Sequence, residues 1–213
     1  MSLPPQKRRI GRPSLGQQEQ METRRQIIET AKALFSEQGI ESVSMRKIAA
    51  KAGFSQRLPY LYFENKQSIL RYIWEDFFVA LFSECHSAIA GVKGSVKRLD
   101  VFLRAYVCYW FAHPDQYELV FLGKDQIGGT GDQYYVEEFG VVGRYDVLAD
   151  LVKACIDDGE FKLGDAELYG QVLISSLHGI LHGLIVVSEY PWKPKNELVD
   201  MTLDVIFRGM KAE

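Results

Sequence analysis

Apolar residues recur at intervals of three and four positions along most of this 213-residue chain. Such spacing puts side chains on one face of an α-helix, whereas a half-buried strand needs strict alternation. The clearest stripe follows Asn65 and consists of Ile69, Leu70, Ile73, Trp74, Phe77, Phe78 and Leu81. No segment alternates strictly, and no repeat of fixed period occurs. The sequence therefore predicts an all-α fold.

Glycine, proline and polar stretches separate the periodic segments into successive helices. Besides the long helix after Asn65 and a short element ending near Phe63, helices are expected at residues 19–38, 45–52, 95–112, 115–121, 144–158, 165–188 and 196–210. We expect a flexible basic arm at 1–18, a three-helix domain at 19–65 and a larger helical bundle at 66–213.

Charge is divided unevenly along the chain. Residues 1–71 contain 13 Lys and Arg against 6 Asp and Glu, whereas the remainder contains 12 against 22. A basic module on an acidic remainder is typical of a protein that binds a polyanion such as DNA. Chance variation in surface charge is the alternative.

Residues 44–55 have the organisation of a helix-turn-helix. Ser44 is a suitable N-cap for a short helix whose apolar residues, Met45, Ile48 and Ala49, would face a small core. Gly53 then permits a tight turn before a second cap at Ser55. A helix pair of this kind can project its second helix into the major groove of DNA. The match alone is moderately specific, because many helical proteins contain short helix pairs.

A set of small, apolar and aromatic residues recurs at fixed spacing across residues 24–71. The set is Ile27-Ile28-x-x-Ala31-x-x-Leu34-Phe35, Gly39, Ser42-Val43-Ser44, Ile48-Ala49-x-x-Ala52-Gly53-Phe54-Ser55, Tyr60-x-Tyr62-Phe63 and Asn65-Lys66. It resembles the TetR family of repressors; beyond residue 71 the likeness is in helix count and order. The resemblance implies a homodimer on an inverted-repeat DNA operator, with half-sites about 34–36 Å apart, and an effector site in the C-terminal domain.

The resemblance also assigns the DNA contacts. The recognition element is residues 56–63, and the positions that match phosphate contacts are Ser44, Tyr60, Tyr62 and Lys66. Gln56 and Arg57 are candidates for base edges, because Arg suits guanine and Gln suits adenine. Arg46 and Ser55 complete the expected DNA-binding surface.

Pro59 departs from the family pattern, which usually has a small residue, Thr and Leu before the first tyrosine. Proline inside a helix removes a hydrogen bond, but it is tolerated in the first turn. We therefore expect the regular part of the recognition helix to begin at Leu58 or Pro59, with Arg57 on the turn.

The arm holds a second DNA-binding candidate. Lys7-Arg8-Arg9-Ile10-Gly11-Arg12-Pro13 resembles the Gly-Arg-Pro core of arms that bind the minor groove of A·T-rich DNA, which would place Arg8, Arg9 and Arg12 at the DNA. A basic disordered tail is the alternative. In either case the charges add affinity and salt dependence.

Two C-terminal helices, 144–158 and 165–188, are expected to form an intersubunit four-helix bundle, as the resemblance implies. The predicted interface residues are Leu148, Leu151, Val152 and Cys155 on the first helix and Ser175, Gly179, His182 and Gly183 on the second.

Aromatic residues concentrate between positions 106 and 121 and, with those of the long helix, could line an apolar effector pocket. The candidates are Trp74, Phe78, Tyr106, Trp110, Tyr117 and Phe121, with His178 as a polar contact. Ordinary core packing is the alternative for each of them.

Other functional classes lack their signatures. His178 and His182 have a spacing that zinc sites use, but no third ligand is evident, so we expect buried, hydrogen-bonded histidines near the dimer contact. The chain has no nucleophile elbow, Walker loop or dinucleotide fingerprint. We expect no enzymatic activity, no cofactor and no metal.

The expected location is the cytoplasm. Three widely spaced cysteines are typical of core residues in a reducing compartment. The most apolar run, Leu173 to Val187, is short and contains polar residues, so it predicts a buried helix and not a membrane span.

The sequence as a whole favours a sequence-specific transcriptional regulator, a repressor released from its operator by a small apolar or aromatic effector. One alternative, motivated by Arg57-Leu58-Pro59, is an interaction protein that keeps the fold without binding DNA. A small-molecule enzyme is the other.

Overall fold

A computed structural model describes residues 15–122 and 141–212 of the chain. The predictions for Arg8, Arg9 and Arg12 lie outside these residues.

The described residues are helical, which confirms the all-α prediction. Their helices, numbered along the chain, are α1 (Leu15–Gln38), α2 (Met45–Lys51), a 3-10 turn (Leu58–Leu61), α3 (Lys66–Ala88), α4 (Ser95–Ala112), α5 (Pro114–Phe121), α6 (Val141–Asp157), α7 (Ala166–Val186) and α8 (Lys195–Met210). Within these ranges the extended backbone pairing is limited to one isolated bridge, between Phe161 and Lys211.

The chain divides into two compact units, one ending at Ile73 and one beginning at Trp74. The division therefore falls inside α3, and this helix contributes residues to both units. The N-terminal unit has its own apolar core, formed by Ile27, Ala31, Leu34, Phe35, Val43, Ile48, Ala49, Phe63, Ile69 and Leu70.

Helix α1 begins at Leu15, four residues before the predicted start at residue 19. The prediction followed apolar periodicity, and residues 16–22 are exposed and mostly polar. Gln and Glu favour the helix by intrinsic propensity without facing a core. The pattern of apolar residues therefore did not indicate the first turn of α1.

Helix α2 has the predicted cap and the predicted buried face. The Ser44 hydroxyl accepts a hydrogen bond from the Lys47 N–H at 3.3 Å, and the three residues predicted to be buried are Met45, Ile48 and Ala49. At its end Gly53 has a φ of 74°, a left-handed conformation that favours glycine. The N–H of Gly53 reaches the Ala50 carbonyl at 3.2 Å, and the next N–H reaches the Ala49 carbonyl at 2.9 Å. This paired arrangement ends α2 sharply and turns the chain toward residues 55–63.

Helix α3 begins with a reciprocal cap. The Asn65 Oδ1 accepts from the Ser68 N–H at 2.8 Å, and the Ser68 Oγ accepts from the Asn65 N–H at 3.1 Å. The predicted apolar stripe of this helix is buried, with the exception of Trp74, which is half-buried. Because the cap satisfies the N–H groups of both Asn65 and Ser68, α3 begins directly after Asn65, as the sequence predicted.

Helices α4–α8 and the later turns of α3 form the C-terminal unit. Cys85 and Cys155 are buried in it, as predicted, and burial raises the pKa of Cys85 to about 12 and that of Cys155 to about 11. Cys108 is exposed, so the prediction that all three cysteines are core residues was wrong. The reason is that Cys108 lies on the exposed side of α4, whereas its neighbours Val107 and Tyr109 belong to the buried side.

Candidate functional site

The recognition element is a single 3-10 turn, Leu58–Leu61, preceded by Arg57. The turn begins at Leu58, as we expected from the position of Pro59, but it is shorter than the element expected at residues 56–63. The N–H groups of Tyr62 and Phe63 both reach the Pro59 carbonyl, at 3.1 and 2.9 Å. Two donors converging on one carbonyl end the turn after Leu61, since 3-10 geometry rarely extends beyond a few residues.

The predicted DNA contacts at the helix-turn-helix are solvent-accessible. Six of the side chains named from the sequence are exposed: Ser44, Arg46, Ser55, Gln56, Arg57 and Tyr60. Arg46 Nε donates a hydrogen bond to Gln56 Oε1 at 3.1 Å. This bond connects α2 to the segment before the recognition turn. It occupies the carbonyl oxygen of Gln56, so the amide NH₂ of Gln56 is the group available to donate to another molecule.

Lys66 has a different environment from the other predicted contacts. Its side chain is half-buried, and Nζ donates to the Ile40 carbonyl at 2.9 Å. The ammonium group thus fixes the connection between α1 and α2 from the start of α3. Tyr62 is half-buried as well.

Leu61 is a surface residue that the sequence analysis missed. Its side chain is 78% exposed at the end of the recognition turn, next to the exposed Tyr60. The family pattern treats this position as a spacer between two tyrosines. An exposed leucine beside a basic surface can make an apolar contact with a thymine methyl group.

An aromatic cluster surrounds Trp110 in the C-terminal unit. The distances between ring centres and Trp110 are 6.1 Å for Phe78, 6.3 Å for Tyr106, 5.7 Å for Tyr117 and 5.4 Å for Phe121. The rings meet edge to face, which is a favourable arrangement for aromatic pairs. The structure therefore brings together five of the residues named for the effector pocket.

His178 joins this cluster from α7. Its Nε2 lies 2.8 Å from Tyr106 Oη, and its Nδ1 lies 3.3 Å from Tyr117 Oη. Burial lowers the pKa of His178 to about 4, so the ring is neutral near pH 7. A neutral imidazole accepts at one nitrogen and donates at the other, which matches two hydroxyl partners. His182 is exposed, so the expectation that both histidines are buried was wrong for His182.

The indole N–H of Trp110 has no hydrogen-bond partner among the described residues, although the side chain is fully buried. A buried donor without an acceptor is costly, by about 1–3 kcal/mol, and is uncommon in folded proteins. The aromatic cluster therefore contains one polar group that could gain from an added acceptor.

Four of the predicted interface residues lie in the core of the single chain. Leu148, Leu151, Val152 and Cys155 are buried because α6 packs against α4 and α7 within the protomer. Side chains covered in this way present little area to a second copy, so their assignment to a dimer interface is corrected. The predicted Gly183 is also buried, and its neighbour is the ring of Trp192.

Helix α7 instead presents an exposed stripe on its other side. The stripe residues, which follow each other at steps of three and four, are Leu168, Val172, Ser175, Gly179, His182 and Val186. Helix α8, which packs against α7, exposes Met201 and Val205. Three predicted interface residues, Ser175, Gly179 and His182, lie on this stripe, which together with the exposed side of α8 we call the α7–α8 face.

Helix α7 is also the one helix, within the described residues, that is long and apolar enough to cross a membrane by length and composition. Only 28% of the most apolar 18-residue stretch of α7 is buried. The helix that was predicted to be buried is therefore exposed along one side. Helices at the core or at an interface of a protein can pass the same test of length and composition.

Comparison with known proteins agrees with the helix-turn-helix organisation of the N-terminal unit. Residues 27–73 match the family model described as bacterial regulatory proteins, tetR family. The chain is 41% identical over 58 residues to the helix-turn-helix transcriptional regulator AcrR of Shigella flexneri, a match that covers 27% of each protein. It is 24% identical over 193 residues to a helix-turn-helix transcriptional regulator of Staphylococcus aureus strain USA300, covering 88% of this chain and 96% of that one.

The fold is similar to that of SmeT, the repressor of the Stenotrophomonas maltophilia multidrug efflux pump SmeDEF. The TM-score is 0.68 at 19% sequence identity, and the alignment covers 89% of this chain and 91% of SmeT. The likeness therefore extends over both helical units.

The half-buried His178 predicts a specific pH dependence of stability. Its pKa falls from an ordinary value of 6.5 to about 4 on folding, so protonation favours the unfolded chain. The free energy of unfolding should therefore decrease as the pH falls from about 6.5 to about 4, by up to about 3 kcal/mol. His178→Gln, which does not titrate, should lose this part of the pH dependence in urea unfolding followed by circular dichroism.

His86→Gln is the matched control, because His86 is exposed on α3 and lies outside the α7–α8 face. It should keep the pH dependence of the unmodified protein. Identical profiles for the unmodified protein and His178→Gln would show that His178 does not carry the effect.

Proposed function

Because this chain belongs to the TetR family of bacterial transcriptional regulators, we propose that it is a cytoplasmic repressor. It binds an inverted-repeat operator as a homodimer, and a small apolar or aromatic effector releases it. Members of the family are regulators and not enzymes. The observation that carries the proposal is the exposed surface formed by Arg46, Gln56, Arg57 and Tyr60 around a capped helix-turn-helix. The repressor role of SmeT supports repression by analogy.

Base recognition is assigned to the residues around the recognition turn. Arg57 is the cation nearest the start of the turn, and its guanidinium suits the N7 and O6 acceptors of guanine. Gln56 donates through its amide NH₂ while Arg46 holds its oxygen. Because the turn is short, Leu61 at its far end is the apolar group offered to the groove.

The phosphate contacts are assigned to Ser44, Ser55, Tyr60, Tyr62 and Lys66. Such contacts determine register and affinity but do not read sequence. The basic arm, with Arg8, Arg9 and Arg12, adds further charge and therefore further salt dependence.

Selection from a randomised duplex library at near-physiological salt should enrich an inverted repeat. Arg57→Ala should weaken binding to that operator by about 1–3 kcal/mol and relax the preference at one position of each half-site. Fluorescence anisotropy with matched and altered duplexes measures both effects.

Lys153→Ala is the control for this variant, since it removes one positive charge from α6 in the other unit. Its operator affinity should equal that of the unmodified protein. Absence of any retained duplex would exclude the repressor proposal and favour the interaction-protein alternative.

The homodimer is assigned to the α7–α8 face. One side of α7 packs into the protomer through Leu173, Leu177 and Leu181. The other side carries an exposed stripe at helical spacing, and Met201 and Val205 of α8 extend the apolar area. Two such helices from each copy would form a four-helix bundle that covers both stripes.

Val172→Glu should disrupt this dimer. It places a carboxylate in the stripe, and burying an unpaired charge costs several kcal/mol, so the dissociation constant should rise by about a hundredfold or more. Sedimentation velocity over a range of concentrations measures it. Val79→Glu, at an exposed valine of α3, should remain dimeric; dimers of unchanged strength in both variants would contradict the assignment.

The effector is assigned to the aromatic cluster. The rings around Trp110 offer apolar contacts, and its N–H lacks an acceptor within the described residues. An aromatic molecule with one hydrogen-bond acceptor fits both properties. Since α3 contributes Phe78 to the cluster and Ile69 to the N-terminal core, this helix is the element through which binding would alter the DNA-binding unit.

Aromatic ketones and the corresponding hydrocarbons should differ in their ability to release the selected operator, with the ketones more effective. Trp110→Phe keeps the ring and removes the N–H, so it should reduce the potency of the ketones by about tenfold. Trp192→Phe is the control, because the Trp192 N–H already donates to the Val187 carbonyl at 2.9 Å. Equal potency of ketones and hydrocarbons would exclude the Trp110 donor from effector binding.

A further inference from the structure

A hydrogen bond between Arg46 and Gln56 connects the first turn of α2 to the segment before the recognition turn. Arg46 Nε donates to Gln56 Oε1 at 3.1 Å, and both side chains are exposed. The two residues are ten positions apart, so the bond depends on the tight turn at Gly53 between them. In the function proposed above, this bond lies in the surface that faces the bases.

The chemistry of Arg46 determines which end of the Gln56 amide faces it. A guanidinium has N–H donors and no acceptor, so its suitable partner on the amide is the oxygen. If the amide were turned over, its NH₂ group would face another donor. The NH₂ group of Gln56 therefore lies on the other side of the amide carbon, where it can donate to a bound molecule.

A glutamine without such a restraint reads adenine through both ends of its amide. The oxygen accepts from the N6 amino group of the base while the NH₂ group donates to N7. In this protein the oxygen already accepts from Arg46. An adenine amino group could reach the second lone pair of that oxygen only beside the guanidinium, where two donors would face each other. The pairing with adenine that the residue type alone suggests is therefore disfavoured.

Guanine presents the complementary edge in the major groove. Its N7 and O6 are both acceptors, and it has no amino group on that side. The NH₂ group of Gln56 has two N–H donors, and the positive charge of Arg46 beside it favours acceptors further. Thymine offers a single acceptor, O4, next to a methyl group. Guanine is therefore the base that best satisfies the donors of Gln56.

We propose that Arg46 is a positioning residue that makes Gln56 read guanine instead of adenine. Arg46 acts through Gln56, by occupying its amide oxygen. The proposal rests on the DNA-binding function proposed above, and it specifies the base that one residue of that surface recognises.

The operator selected from the randomised library shows which base pair Gln56 reads. Selection with Gln56→Ala should relax the preference at one position of each half-site, and that position should hold a G·C pair in the operator of the unmodified protein. Competition between duplexes with G·C or A·T there should show a preference for G·C of about tenfold or more. An A·T pair at this position, or no position that depends on Gln56, overturns the proposal.

Arg46→Met keeps a side chain of similar length and removes the donors. With its oxygen released, Gln56 can pair with both groups of adenine, so the preference for G·C over A·T at that position should fall by at least about tenfold. Lys51→Met is the matched control, because it also removes an exposed positive charge from α2. It should leave this preference unchanged, whatever it does to affinity for all duplexes. A preference that Arg46→Met does not alter contradicts the positioning role.

A double-mutant cycle separates positioning from a direct base contact by Arg46. If Arg46 acts through Gln56, adding Arg46→Met to Gln56→Ala should cause no further change in preference at that base pair. Equal effects of Arg46→Met with and without the Gln56 side chain would show that Arg46 reads the base itself, and the proposal would be wrong. Both side chains are exposed, and thermal unfolding verifies that the variants fold.

The same selection distinguishes failure of this proposal from failure of the repressor function. If no operator is enriched, both are wrong. If an inverted repeat is enriched with an A·T pair at the position that depends on Gln56, sequence-specific DNA binding stands and the role of Arg46 alone is overturned.

Discussion

His178 holds three helices of the C-terminal unit together. From α7 it reaches the hydroxyl of Tyr106 on α4 and that of Tyr117 on α5. Its neutral ring satisfies both hydroxyls inside an apolar environment, where an unpaired polar group would be costly. These bonds, together with the leucines beside His178, fix one side of α7 to the protomer. The opposite side, with Val172 and Gly179, is exposed in the protomer.

The DNA-binding unit is governed by a different constraint, the shortness of the recognition turn around Pro59. Two later N–H groups converge on the Pro59 carbonyl, and the recognition element is reduced to one 3-10 turn. A short turn presents fewer side chains to a groove than a full helix does. The bond between Arg46 and Gln56 compensates, because it brings a side chain of α2 into the same surface. Specificity is then expected to rest on Gln56, Arg57 and Leu61, which lie before and at the end of the turn.

Local features of the fold could be predicted from the sequence, and tertiary assignments less so. The buried face of α2 and the cap at Asn65 followed from residue spacing, because they depend on neighbours within one or two turns. The aromatic cluster followed from the concentration of rings between positions 106 and 121. The burial of Leu148 and Leu151 within the protomer did not, since periodicity shows that α6 has an apolar side but not which helix covers it. Leu61 was missed because its exposure depends on the early end of the recognition turn.

The energy needed for regulation is comparable with that of a single contact in the aromatic cluster. Coupling between effector and operator typically amounts to about 1–3 kcal/mol. The Trp110 N–H has no partner among residues 15–122 and 141–212, and an acceptor that satisfies it would gain a similar amount, since leaving such a donor unpaired costs about 1–3 kcal/mol. This gain alters the operator affinity only if the contact forms more readily in one state of the protein than in the other. Because Phe78 packs against Trp110 from α3, a helix shared by both units, a change in the ring packing acts on the element that also supplies Ile69 to the DNA-binding core.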